Sequence, residues 1–175
     1  MLATGLTRPA DNEYAQHYAS YVSLVRDGDV IEQLERQGRD AAALLGKVSE
    51  DRSRFRYAEG KWSLREVAGH LADSERVFTY RALTFARADV TPLPPFDENA
   101  WGASSNADDR PMRAHVEEMQ AVRAATLALF RGFSDGEWGR WGTASGHKIT
   151  VRALAYIVLG HEQHHLNVLR ERYGL

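Results

Sequence analysis

The chemistry in this chain concentrates in His161-Glu162-Gln163-His164-His165. Read as a helix, the surrounding segment places Val151, Leu154, Val158 and Val168 at alternating spacings of three and four, one inward stripe. His161 and His165 occupy the two places in that series where apolar residues are expected. Side chains four apart lie one turn above the other on one helix face, so both imidazoles point inward together. Neutral imidazole is a common ligand for divalent metals near pH 7. Two at this spacing make half of a metal site.

The other half is expected from the segment after Trp62. Its inner stripe reads Leu64, Val67, His70, Leu71, Ser74, Val77, Phe78 and Phe85, and the polar breaks His70 and Ser74 are the informative ones. His70 falls roughly 10 Å along its helix from the start, and His165 roughly 12 Å from the end of its own. Antiparallel helices bring His70, His161 and His165 to one level; parallel helices separate them. Three nitrogen ligands leave an open position, where a metal holds water and lowers its pKa toward neutrality. Zinc, nickel and iron all accept imidazole. The competing reading is three hydrogen-bonded core histidines. His164 lies one residue off the stripe and should face outward. His17 reads as a surface or packing histidine, and His115 and His147 have no partner at ligand spacing.

The run also satisfies H-E-x-x-H, the zinc-protease signature with glutamate as general base. A gluzincin needs a third ligand well downstream, and only ten residues follow His165. A metzincin needs glycine and histidine where Val168 and Glu171 stand. The protease reading fails on its third ligand. Glu162 remains a weak candidate for a base, against a solvated helix glutamate. Asp73, one turn after His70, is a weak candidate for orienting it, against a surface carboxylate. Arg76 and Arg81 could meet an anionic substrate but are more ordinary as solvated or paired side chains.

The elements that must position these groups are helices. Residues 1–12 read as an irregular arm, and Glu13 to Val25 as a short helical or extended lead-in. Asp29 caps a helix from Val30 to about Lys47. After a charged loop over 49–61, Ser63 and Glu66 form a capping box that starts a second helix running to about Arg87. Pro92, Pro94, Pro95 and Gly102 bar residues 88–110 from being one helix. That connection is long enough to return along the bundle. The third helix runs from Pro111 to about Arg131, with Met112, Val116, Met119, Val122, Leu127 and Phe130 inward. Ser134 to Glu137 suggests a single turn, residues 142–146 are turn-rich, and Thr150 caps the fourth helix. No strand is convincing, although 146–151 could pair briefly. The expectation is an all-α, up-down-down-up four-helix bundle forming one domain over residues 1–175.

Composition narrows the function classes. With 43% hydrophobic residues the chain should fold around a core. The 22 basic and 24 acidic residues give a formal charge of −2 without a basic stripe, which argues against nucleic acid as partner. The absence of cysteine excludes a thiolate nucleophile and Cys-type metal sites. Thr7, Arg8, Asp11, Asn12 and Glu13 interrupt any signal core, and the apolar run Ala153 to Leu159 is too short to span a membrane. The expectation is a soluble, cytoplasmic protein.

Trp62-Ser63 leading Gly69-His70-Leu71-Ala72-Asp73-Ser74-Glu75, then Thr91-Pro92-Leu93-Pro94-Pro95-Phe96-Asp97, then Gly160-His161 with His165, together resemble the DinB-like (YfiT-like) superfamily. The resemblance runs from about Tyr14 to Tyr173. It implies an up-down-down-up bundle with a three-histidine divalent metal site, carried over onto His70, His161 and His165. It also implies nickel or zinc, frequent homodimers, and, in some relatives, transfer of low-molecular-weight thiols such as bacillithiol or mycothiol-dependent isomerisation. Two functions follow. One is a metal-dependent enzyme, a thiol S-transferase or hydrolase, with a low-molecular-weight thiol as possible cosubstrate. The other is a non-catalytic metal-binding stress-response protein. A weaker third is an interaction module using the 88–110 loop and Trp101, which could instead cover the site.

Overall fold

A computed structural model describes residues 6–175; the expected arm at the N-terminus lies partly outside them. Two 3₁₀ turns lead into α1 (Ala19–Leu24), and α2 (Val30–Leu45) follows. Asp29 caps α2 by accepting from the Ile31 and Glu32 amides. The next loop holds one helical turn, α3 (Glu50–Ser53). Helix α4 (Leu64–Ala86) starts at the expected capping box: Ser63 Oγ accepts from the Glu66 amide at 3.1 Å, and the Ser63 amide donates back to Glu66 at 2.6 Å. The 88–110 connection carries α5 (Glu98–Ser104) before α6 (Met112–Arg131), with Pro111 as the N-cap. The single turn α7 (Asp135–Trp138) leads to α8 (Val151–Glu171), capped by Thr150.

Between α7 and α8 the mostly helical chain carries one minor pair of strands, longer than the brief pairing expected over 146–151. Trp141–Ala144 (β1) and His147–Thr150 (β2) pair antiparallel as a hairpin. Its turn places Ser145 at φ 53° and Gly146 at φ 79°, the left-handed conformation that a two-residue hairpin turn requires. Leu93 extends this small sheet, donating to Thr143 O at 2.9 Å and accepting from Ser145 N at 3.0 Å. The 88–110 connection is thereby pinned at the far end of α4 before it returns.

Four long helices form the bundle, and its two apolar layers reveal their directions. Val30 and Leu34 of α2 pack with Phe78 and Phe85 of α4, Leu127 and Phe130 of α6, and Val151 to Ile157 of α8. Ala41 and Leu45 pack with Leu64 to Leu71, Met112 to Met119, and Leu166 and Leu169. The starts of α2 and α8 therefore meet the ends of α4 and α6, an up-down-down-up order. Helix α1 adds a fifth helical contact against α8, so residues 153–162 of α8 are buried on every side. Between the two apolar layers runs a polar waist, and the candidate site lies in it.

Candidate metal centre

His70 arrives from the second turn of α4, and His161 and His165 from successive turns of α8. The antiparallel packing of α4 and α8 puts all three at one level, with a ring nitrogen from each within 4.8 Å of the others. His70 Nε2 and His161 Nε2 lie 3.0 Å apart. The ring centroids are 4.6 to 5.0 Å apart. Ser74, one turn after His70, places its hydroxyl 3.3 Å from His70 Nδ1. The Trp62 ring covers His70 at 4.6 Å, while Tyr21 and Phe78 meet His161 edge-on at 5.4 and 5.7 Å.

Burial sets the charge state. His70 is pushed down to about 4 by burial alone. His165 is pushed down to about 3 and His161 well below its usual range, by burial first and then by neighbouring imidazoles. All three rings are therefore neutral at pH 7, the form that binds metal. Two nitrogens on one ion at about 2.1 Å are at most about 4.2 Å apart. The rings need only draw together by a fraction of an ångström to meet that limit.

Gly160 explains how α1 reaches this place. A β-carbon there would lie 2.0 Å from the Tyr21 carbonyl oxygen, so only glycine lets the α1 backbone sit against α8. The same contact lays the Tyr21 ring on His161.

The remaining sequence candidates separate. Asp73 is half-exposed, accepts from Arg76 at 3.3 Å, and lines the cavity that opens on His70. Glu162 is not solvated. It is buried, and its Oε2 accepts from Arg123 at 3.0 Å and Gln37 at 2.8 Å. Arg123 also donates to both oxygens of Glu75 at 2.9 and 2.8 Å and to the Leu34 carbonyl at 2.7 Å. One guanidinium thus joins all four bundle helices beside the histidines. Burial would lower the Arg123 pKa, but Glu162 and Glu75 outweigh it and raise it, so the side chain stays charged. This network lay outside the sequence reading, yet it had a signal: Gln37, Glu75 and Arg123 each interrupt an inner stripe at the same level. Arg76 pairs with Glu118, and Arg81 is buried, donating to Pro94 O and Ser145 Oγ. His164 is exposed and His17 packs on Tyr18. His115, set aside for want of a partner, is almost fully buried at 1% exposure.

A four-helix bundle in up-down-down-up order, with three imidazoles converging from two antiparallel helices, defines a class of proteins whose inner face can hold a metal ion. The chain belongs to the DinB superfamily, whose model matches residues 33–169. It is 25% identical to YfiT of Bacillus subtilis over 118 residues, 66% of each protein. A relative from Oceanobacillus iheyensis is 21% identical over 138 residues, covering 78% of this chain and 79% of that protein. Both are named as candidate metal-dependent hydrolases. The solved structure of B. subtilis YfiT, titled for its unusual four-helix bundle topology, superposes with a TM-score of 0.69 at 21% identity, over 95% of this chain and 93% of that one. A DinB-like protein of B. subtilis, YjoA, gives 0.59 at 20% identity over 81% and 87%.

Proposed function

We propose that His70, His161 and His165 bind one divalent metal ion and that the protein is a metal-dependent hydrolase of a small molecule. The observation that carries this reading is the convergence of three neutral imidazoles from α4 and α8, His70 and His161 buried and His165 half-buried. Their donor set suits zinc, nickel or iron alike. The ion would supply Lewis-acid activation of the substrate and of water. The chain's own residues do the rest. Ser74 holds His70 through its outer nitrogen, and the aromatic rings of Trp62, Tyr21 and Phe78 restrict how the imidazoles turn and keep bulk water out. Asp73 lines the cavity that opens on His70, paired with Arg76.

The names carried by the relatives support hydrolysis. Transfer of a low-molecular-weight thiol is the finer alternative, because a chain without cysteine must take its thiol from outside. The test is to load the protein with zinc, nickel or iron and assay it on small esters and amides, with and without added thiol. Metal-dependent turnover without thiol, lost in His161→Ala/His165→Ala, supports the hydrolase. Turnover only with thiol shifts the assignment to a transferase. Metal uptake without either leaves a binding protein. Homodimerisation and cytoplasmic residence belong to the same reading and are checked by sedimentation and by fractionation.

A further inference from the structure

A cavity of about 170 Å³ opens on His70 between α4, α5 and the start of α6. It is smaller than the roughly 300–1,000 Å³ of most ligand clefts, so its occupant is a small molecule or one end of one. Trp101 and Phe96, with ring centroids 5.0 Å apart, form its aromatic wall.

His115 sits at its floor. Its Nε2 lies 2.9 Å from the Ala107 carbonyl oxygen. A carbonyl only accepts, so Nε2 carries the proton, and in the neutral ring Nδ1 is a bare acceptor. That Nδ1 is buried and has no hydrogen-bond partner among the described residues. Buried polar atoms without partners are uncommon, and this one belongs to a side chain that lines a cavity beside the candidate metal centre. Gly69 faces this edge of the ring: a β-carbon there would stand in ordinary contact, 3.7 Å from His115 Cε1 and 3.8 Å from Nδ1.

The cavity's charged lining accepts more than it donates. Glu66, Asp73, Glu98 and Glu118 face one cation, Arg110, which Glu118 already pairs at 2.6 Å. Glu66 is paired with Arg56 and Asp73 with Arg76. Glu98 forms no salt bridge among the described residues and remains to balance a ligand's charge.

We propose that this cavity binds the amine end of the substrate: a small organic ammonium that donates to His115 Nδ1 in the field of the carboxylate rim. The rest of the molecule packs on Trp101 and Phe96, and its reacting group reaches the three imidazoles. The inference rests on the hydrolase reading for the place of the reacting bond, but amine binding is measurable without it.

The experiment uses three isosteric probes: phenethylamine, 2-phenylethanol and phenylacetate. Their affinities are measured by calorimetry, and the ¹⁵N shift of His115 Nδ1 is followed by NMR. The expected result is that the amine binds at least about tenfold tighter than the alcohol, phenylacetate binds weakest, and the amine moves the Nδ1 resonance. Gly69→Ala adds a methyl in ordinary contact over Nδ1 and favours helix, so it should stay folded and lose about tenfold in amine affinity. Glu98→Gln, on the exposed rim, should lose about threefold. His161→Ala/His165→Ala should keep amine binding, because the cavity does not need the metal. Equal binding of all three probes, no binding of any, an unmoved Nδ1, or unchanged affinity in Gly69→Ala overturns the proposal. Amine binding lost only in the double-histidine variant assigns it to the metal and also overturns the proposal. Amine binding by a protein that takes up no metal would sink the hydrolase reading and leave this cavity assignment standing.

Discussion

Replacing Arg123 with methionine tests the polar waist most sharply. The guanidinium is buried and is shared by Glu75, Glu162 and the Leu34 carbonyl. Methionine fills much of the volume, so packing changes little and the main effect is electrostatic. Two buried carboxylates lose their cation, and removing one partner of a buried ion pair costs about 3–5 kcal/mol. With a urea m-value of about 2 kcal/mol/M, the unfolding midpoint should fall by about 1.5–2.5 M at pH 7. Replacing Glu75, Arg123 and Glu162 together with methionine should restore stability to near wild type, because an apolar trio removes the desolvation penalty along with the charges. Urea melts by circular dichroism measure all three proteins. A single variant within about 1 kcal/mol of wild type at pH 7, or a triple variant no more stable than the single one, would refute the reasoning.

The metal-free protein should lose stability as pH falls from about 6.5 toward 4, because the unfolded chain protonates its histidines first. For His70 alone, the drop from 6.5 to about 4 corresponds to about 3 kcal/mol, and His70→Gln should flatten the profile. Metal binding at pH 7 should release almost no protons from the three histidines, since all are already neutral; calorimetry in buffers of different ionisation enthalpy reads this directly. Gly160→Ala should drive the Tyr21 backbone off α8 and lower the melting temperature, because the clash outweighs the roughly 1 kcal/mol that helix propensity would return. Loss of the Tyr21 ring contact should appear as faster solvent exchange at His161.

Much of the frame was legible because helices announce their ends and faces. The Ser63–Glu66 capping box, the Asp29 and Thr150 caps and the proline-broken 88–110 segment marked all four long helices to within two residues. The polar breaks at His70, His161 and His165 pointed to one level of the bundle. Less legible was the β-hairpin at 141–150, whose short strands gain their place only from Leu93 and the end of α4. The approach of α1 at Gly160 was equally hidden, since a glycine inside a helix shows no partner until the fold supplies one. Glu162 looked solvated because its neighbours in sequence are polar. Arg123, which buries it, comes from another helix. His115 looked isolated because its cavity is closed by α5, an element formed within a segment that reads as loop.

The central claim is the metal site, and metal content tests it most directly. The purified protein is supplied with zinc, nickel and iron in turn, freed of unbound ion, and analysed for metal beside the His161→Ala/His165→Ala variant. The account predicts about one divalent ion per chain in the wild type and none retained by the variant. A wild type that holds no ion under any of these conditions, or a variant that holds as much as the wild type, would contradict it.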